Sequence, residues 1–445
     1  MSTVTKVATT SATPRVLILS QFYWPEEAMY ERDIADHLST AAGAHVQVVT
    51  GYPNRPGGRI YSSYHQTFRS KEYWRGIGIN RVPLVINHSA NPLERFANFA
   101  SFALSAMTSL RLAKGADVVY VYATPMTAAL PAQVWKFLFG TPYVLHVQDV
   151  WPESVTGSGM LPRSLNSFIT KALTPWLTSA YKNAAHVLAI SPGMKPLLAS
   201  RGASEETTTV VYNWARESNI ITTTGRESTE GNLVLAYAGN LGRMQDLGTV
   251  VEAVRSASES LEIELRIAGD GVEEESLRRL ASDSPNIKFL GLIDPLEIHE
   301  LYRESDFQLV TLLDMPIFRV TIPSKLQASL ASGVPVITTV QGDVARVVQE
   351  YEAGLVADPE DANSLADALA RAAATTAAER RRMSRNAKRL YEDLMSKRVG
   401  LNVIAGVLLE HAEHKAAHRT RRRLGEPGWL SHTGGGLATG SINRD

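Results

Sequence analysis

Residues 233–253 read LVLAYAGNLGRMQDLGTVVEA, and three kinds of local chemistry follow one another along them. Leu233 to Ala238 is an apolar run of strand length, the pattern of a strand buried on both faces. Gly239 and Gly242 then bracket Asn240 and Leu241, and glycine lets a backbone turn sharply and lets another group approach it closely. Arg243 follows, a residue whose planar guanidinium can grip a phosphate with two hydrogen bonds. From Leu247 to Ser258 the apolar residues recur at helical spacing. Strand, glycine turn and helix form the repeating unit of a parallel sheet covered by helices.

The unit repeats on either side. Downstream, strands are expected at Leu261–Ala268, Ile287–Leu290, Phe307–Thr311 and Val334–Thr338, and helices near Glu273–Ala281, Ser324–Ala331 and Ala362–Ala374. Upstream, Val16–Ser20, Val46–Thr50, Asp117–Tyr122, Tyr143–Val147 and His186–Ile190 read as strands, with helical stretches between them, the first starting near Tyr30. Residues 213–232 are polar, with few aliphatic side chains and two glycines, the composition of a linker. The expected architecture is α/β: two Rossmann-like, doubly wound domains facing across a cleft. The first spans 15–215, a linker 216–232, and the second domain 233–392. A helix over 393–412 is expected to follow, then a basic, disordered tail from 413 to 445, with a disordered leader at 1–14.

A chain of 445 residues holds two such domains comfortably. Its 45 basic and 45 acidic residues cancel, so no overall field points to nucleic acid, and any polyanion is met locally. It has no cysteine, which removes disulfides, thiolate metal sites and a cysteine nucleophile. The leader lacks the apolar core of a secretory signal. Phe96–Leu110 (FANFASFALSAMTSL) falls short of a membrane span, but Arg95, Arg111 and Lys114 flank it, so it reads either as a core helix or as a segment resting on a membrane surface. A cytoplasmic location fits, with a peripheral seat on the inner face of the plasma membrane left open.

The chemistry concentrates at the carboxyl ends of the expected strands, where open α/β sheets bind ligands. The first strand runs into Gln21-Phe22-Tyr23-Trp24-Pro25-Glu26-Glu27, too bulky and acidic for a pyrophosphate. Trp24, Glu26 and Glu27 are therefore read as acceptor contacts, which makes the first domain the acceptor half. Thr321-Ile322-Pro323-Ser324-Lys325-Leu326-Gln327 opens a helix; its first N–H groups with Lys325 form an anion site, and with Gly239, Asn240, Gly242 and Arg243 they suit a diphosphate leaving group. Gly269 and Leu290 end two further strands beside it. In the first domain, Tyr143–Val147 leads into Gln148-Asp149-Val150-Trp151-Pro152-Glu153. Asp149 is placed to orient or deprotonate a hydroxyl, Glu153 to bond a sugar, and His146 reads as either catalytic or a satisfied core histidine. No carboxylate or histidine cluster completes a metal site here.

With these segments in view the chain resembles the family-four retaining glycosyltransferases of GT-B fold, and more narrowly the bacterial surface-polysaccharide branch that includes the N-acetyl-L-fucosaminyltransferases of O-antigen and capsule synthesis. The resemblance is carried by SQFYWPE (20–26), GYPNRPGGRIY (51–61), HVQDVWPES (146–154), YNWA (212–215), GNLGRMQDLGTVVEA (239–253) and FRVTIPSKLQASLASGVPVI (318–337). It implies a UDP-sugar donor in the second domain, no required metal or other cofactor, a lipid-linked saccharide acceptor in the first domain, and a last helix returning to that domain. It further implies that Arg243 and Lys325 hold the diphosphate, that Leu290 lies near the base, and that Gly342, Asp343 and Ala345 lie near the donor sugar; Ser324 at the helix start and Gln327, the polar neighbour of Ala328, join them as nucleotide contacts. Asp149 and Glu153 would line the reaction centre. The sequence departs from the wider family where a glutamate grips the ribose: Ala328 stands there.

The function expected is transfer with retention from a UDP-sugar to a hydroxyl of a lipid-linked saccharide. Two rivals share the architecture: a sugar-nucleotide 2-epimerase, which converts its donor alone, and a catalytically degenerate saccharide-binding or scaffold protein.

Overall fold

The computed structural model describes residues 13–86, 92–151, 163–217 and 232–423. They form two α/β domains. The first carries β1 (Arg15–Leu19), β2 (His45–Thr50), β3 (Ser70–Trp74), β4 (Ile77–Arg81), β5 (Val118–Ala123), β6 (Tyr143–Val147), β7 (His186–Ala189) and β8 (Thr208–Val210), in the order β3-β4-β2-β1-β5-β6-β7-β8. All neighbours pair in parallel except the hairpin β3/β4. Alternation along the strands divides the core in two. Leu17, Leu19, Val119, Val121, Leu145 and Val147 face one side. Val16, Ile18, Val118, Tyr120 and Val144 face the other, where Ile34, Ala35 and Leu38 of the Met29–Thr40 helix cover them.

The second domain carries β9 (Asn232–Ala238), β10 (Glu262–Ala268), β11 (Ile287–Gly291), β12 (Phe307–Val310), β13 (Val336–Thr338) and β14 (Gly354–Val356), all parallel, in the order β11-β10-β9-β12-β13-β14. In each sheet the strand order reverses beside the first strand, between β1 and β5 and between β9 and β12. The crevice outside such a reversal is where ligands of these sheets bind, and the two crevices face one another.

The Lys397–Arg423 helix crosses to the first domain, where Leu401, Ile404, Ala405, Leu408 and Ala412 join the core beneath β1 and β5 at helical spacing. It continues past residue 413, where the sequence reading began a tail. Lys415 explains the extension, because its ammonium donates to the Ala116 carbonyl at 3.0 Å and to Thr141 Oγ1 at 2.6 Å, fastening another turn to the first domain. Residues 424–445 and the leader up to residue 12 lie outside the described residues.

Two expectations on the chain are refined. The β3/β4 hairpin was not anticipated, because SKEYW is largely polar and sits at the sheet edge with alternate residues exposed. Phe96–Leu110 divides into the end of one helix, Pro92–Met107, and the start of the next, Leu110–Gly115. Phe102, Ala103 and Ala106 are core, while Phe96, Leu104 and Leu110 are exposed. Among the described residues no helix is long and apolar enough to cross a membrane.

Candidate functional site

A cleft of about 870 Å³ lies where the two crevices meet. Phe22, Glu31, Arg55, Tyr122 and Trp214 line it from the first domain, and Gly239, Asn240, Gln245, Ser324, Lys325 and Gln327 from the second. The second-domain wall is built by the two segments that the sequence marks out. Pro323, in extended conformation (φ −64°, ψ 138°), caps the Ser324–Ser332 helix, so the first N–H groups of that helix and the positive end of its dipole serve the cleft. Lys325 sits within this first turn. Its ammonium donates to Tyr237 Oη at 2.8 Å and to Gln245 Oε1, and lies 4.2 Å from the centre of the Tyr237 ring. Burial pushes its pKa down to about 7. These partners are all neutral, so an anion arriving in the cleft would meet a lysine that no carboxylate has already compensated.

The glycines here have separate reasons. Gly239 (φ +145°) lies against Lys325, where a Cβ would come within 3.8 Å of Cε. Gly269 (φ +131°) packs so tightly that a Cβ would fall 1.9 Å from the Gly239 carbonyl oxygen. Gly269 therefore supports the cleft from behind and does not line it. At Gly242 a Cβ would collide with the Asn240 side chain at 2.5 Å, so this glycine frees Asn240 to reach the cleft.

Other residues expected at the site stand elsewhere. Arg243 opens a single 3-10 turn, Arg243–Gln245, and its side chain, 81% exposed, pairs with Glu273 at 3.2 Å outside the cleft; its neighbour Gln245 takes the inward place. Leu290, near the end of β11, is exposed and does not line the cleft. Gly342 (φ +76°) lies under the Phe318–Val320 turn, where a Cβ would come 2.1 Å from the Arg319 carbonyl oxygen. Asp343 is buried and accepts the Gly193 N–H of the first domain at 2.6 Å. It ties the domains together, helped by Ser191 Oγ donating to the Val320 carbonyl at 2.6 Å. Ala345 is buried on the same helix. None of these three lines the cleft.

In the first domain, Trp24 stacks on Trp74 with ring centroids 5.9 Å apart, a packing role at the edge of the sheet. Glu26 is buried and accepts the N–H groups of Asn54 (2.7 Å) and Arg55 (2.8 Å), so its carboxylate shapes the loop that presents Arg55. Glu26 faces a separate cavity of about 580 Å³. Glu27 lines both cavities and pairs with Arg216 at 2.8 Å. His146 is fully buried against Tyr120 and Tyr122, with Nδ1 2.6 Å from Tyr120 Oη. Burial lowers its pKa to about 3, which makes it a neutral core residue and removes it from the reaction centre. Its side chain points inward because His146 shares a face with Val144. Asp149, just beyond β6, keeps one side open to solvent while protein atoms crowd the rest. That crowding raises its pKa, with the Thr124 hydroxyl acting in the opposite sense. Asp149 does not line the cleft, but Thr124 does. Glu153 lies outside the described residues. Among the described residues no group of three or more His, Asp or Glu side chains is placed to hold a metal ion.

Sequence reasoning passed over Glu31. It lines the cleft with 4% of its surface exposed and accepts a hydrogen bond from Ser20 Oγ at 3.0 Å. Burial raises its pKa to about 7. The signal was present: Glu31 precedes Ile34, Ala35 and Leu38 by three, four and seven residues, a charge placed on the buried stripe of a helix. Arg55 is a second omission, its guanidinium 3.5 Å from the centre of the Phe22 ring at the cleft wall.

The geometry can be set beside known proteins. Residues 28–214 match the glycosyl transferase 4-like domain, and residues 232–375 match the glycosyl transferases group 1 domain. The chain is 23% identical over 279 residues to the probable glycosyltransferase WbjE of Pseudomonas aeruginosa, covering 60% of this chain and 68% of that one. It is 24% identical over 344 residues to the putative colanic acid biosynthesis glycosyl transferase WcaI of Escherichia coli K12, covering 74% and 83%. Among solved structures it is similar to HepE of Anabaena, determined in complex with UDP and glucose, with a TM-score of 0.58 at 16% identity over 88% of this chain and 98% of that one. Two facing Rossmann-like domains give the chain a GT-B fold, the first matched by a glycosyl transferase 4-like domain and the second by a glycosyl transferases group 1 domain.

Proposed function

We propose that the protein transfers a sugar, with retention, from a UDP-sugar to a hydroxyl of a lipid-linked saccharide during surface-polysaccharide assembly, with an N-acetylated deoxyhexosamine as the donor sugar. The observation that carries this reading is Lys325, half-buried in the first turn of a helix that opens onto the interdomain cleft, with only neutral hydrogen-bond partners for its ammonium. A diphosphate supplies the charge that this arrangement lacks, and the helix N-terminus supplies donors already aimed at it. The complex of HepE with UDP supports the choice of nucleotide, and the naming of WcaI for colanic acid biosynthesis supports the class of product.

In the reaction proposed, the bond from the anomeric carbon to the diphosphate oxygen breaks and its electron pair leaves on that oxygen. The acceptor hydroxyl attacks from the same face, and its proton passes to the departing phosphate. Lys325 and the helix N-terminus stabilise the leaving charge, so the proposal calls for no resident metal or cofactor. Arg243 exchanges Glu273 for the diphosphate, an inexpensive change because an exposed ion pair is worth at most about 1 kcal/mol. Asp149 and Glu153 orient the acceptor, and Glu27 lies on its path into the cleft.

The test is the thermal shift of the purified protein against nucleotides and nucleotide sugars. A ligand at 100 times its dissociation constant stabilises by about 2.7 kcal/mol. Selective stabilisation by UDP and one class of UDP-sugar is the expected result; a folded protein that responds to no nucleotide contradicts the reading.

A further inference from the structure

Arg55 stands on the first-domain wall of the cleft, and neither the fold nor the donor site uses its charge. Its guanidinium carbon lies 3.5 Å from the centre of the Phe22 ring. Phe22 is itself buried, so the contact covers one face of the guanidinium and leaves the rest of an exposed side chain open to the cleft. Among the described residues no oxygen accepts a hydrogen bond from this guanidinium and no carboxylate forms an ion pair with it.

The loop that carries Arg55 is held in place before any ligand arrives. Glu26 Oε1 accepts the N–H groups of Asn54 at 2.7 Å and of Arg55 at 2.8 Å, and Tyr61 Oη donates to the Arg55 carbonyl at 2.5 Å. Arg81, fully buried, donates to the Gly51 carbonyl at 2.8 Å and to the Trp24 carbonyl at 2.6 Å, which ties this loop to the one that carries Phe22. A donor fixed in this way loses little freedom on binding. The carboxylates on the same wall are engaged elsewhere: Glu27 pairs with Arg216, Glu26 gives an oxygen to the loop, and Glu31 accepts from Ser20. A second cation, Arg95 in the first turn of the Pro92–Met107 helix, is exposed. Burial lowers the Arg55 pKa, Glu26 and Glu31 oppose that change, and Arg95 is near enough to add to it. The wall thus offers an anion a positioned guanidinium with further positive charge beside it.

Lys325, on the second-domain wall, is the group that meets the donor diphosphate in the reading above. An anion at Arg55 belongs to the other substrate. We propose that Arg55 binds an anionic group of the acceptor saccharide, so that the protein selects a negatively charged sugar over its neutral counterpart. The proposal rests on that reading of the cleft. Two groups carry the required chemistry, the phosphate that joins a sugar to a lipid and the carboxylate of an acidic sugar, and each presents two oxygens to the paired N–H groups of a guanidinium.

Calorimetry on the full chain tests it, with UDP present at saturation so that Lys325 is occupied. The probes are N-acetylglucosamine 1-phosphate against N-acetylglucosamine, and methyl glucuronide against methyl glucoside. Wild type is expected to bind one charged sugar about tenfold more tightly than its neutral counterpart, the value of a charge-assisted hydrogen bond at an open site, and the pair that shows the preference identifies the anion. The preference shrinks as salt is raised. In Arg55→Gln with an unchanged circular dichroism spectrum it disappears, while UDP alone binds as it does to wild type. Equal binding of charged and neutral sugars by wild type, a preference insensitive to salt, or a preference that survives Arg55→Gln overturns the proposal while UDP binding stands. Weakened UDP binding by Arg55→Gln also overturns it, by assigning Arg55 to the donor. Absence of UDP binding by folded wild type removes the donor site and this inference together.

Discussion

Lys325 and Glu31 face the same cleft, and burial moves both toward neutral pH from opposite directions. The folded pKa of Lys325, about 7, lies below its ordinary value of 10.5, so above pH 7 the unliganded protein holds a neutral amine. A diphosphate needs the ammonium. UDP affinity is therefore expected to be greatest below about pH 7 and to fall toward tenfold per pH unit above it, whereas Lys325→Arg, which stays protonated, gives a flatter profile. Calorimetry between pH 6 and 9 in buffers of different ionisation enthalpy reads both the affinity and the proton taken up. Glu31 has a folded pKa of about 7 against an ordinary 4.5, so the folded state binds a proton that the unfolded state has lost. Its contribution to stability is complete below about pH 4.5 and is lost as pH rises to 7, a change on the order of 1 to 3 kcal/mol. Melting curves of wild type and Glu31→Gln should show this part of the pH dependence in wild type only; equal slopes across that window contradict the assignment.

At the scale of elements, the glycine turns carry the site. The turn after β9 and the turn after β10 interlock, and a methyl group at Gly269 would have to displace the Gly239 backbone, from which it would stand 1.9 Å away. Gly269→Ala is expected to cost at least about 2 kcal/mol, through both the clash and the positive φ, and to weaken UDP binding by moving Gly239. A melting temperature equal to that of wild type would contradict the packing. These turns were legible because strand, glycine and helix follow one another within twenty-one residues of sequence, and Pro323-Ser324-Lys325 marks a helix start by the same local rules. What was not legible depends on partners distant in sequence. That Arg243 pairs with Glu273, thirty residues on, in the unliganded protein is one such case. Asp343 reads as a sugar contact until Gly193 of the other domain supplies its N–H. His146 could be weighed as catalytic because no pattern in the chain announces the two tyrosines that enclose it.

At the scale of the whole molecule, the first domain has one side that its own core does not cover. The Pro92–Met107, Leu110–Gly115 and Ala129–Phe139 helices pack on one face of its sheet and leave Leu104, Leu110, Leu138 and Phe137 exposed, the last by 88%. Arg111 and Lys114 are exposed beside them. We expect this surface to meet the boundary of an anionic membrane, as the lipid-linked acceptor proposed above requires. Cosedimentation with phosphatidylglycerol vesicles is expected for wild type and is expected to fall severalfold in a Leu104→Ser, Phe137→Ser double variant that folds normally; unchanged sedimentation contradicts the assignment. The central claim concerns the cleft between the domains, that a nucleoside diphosphate is held there by Lys325. It is tested most directly by calorimetric titration of UDP at pH 6.5 into wild type and into Lys325→Ala with an unchanged circular dichroism spectrum. The account predicts a loss of affinity of about a hundredfold or more, the cost of removing a buried charge from its anion; equal affinity of the two proteins would contradict it.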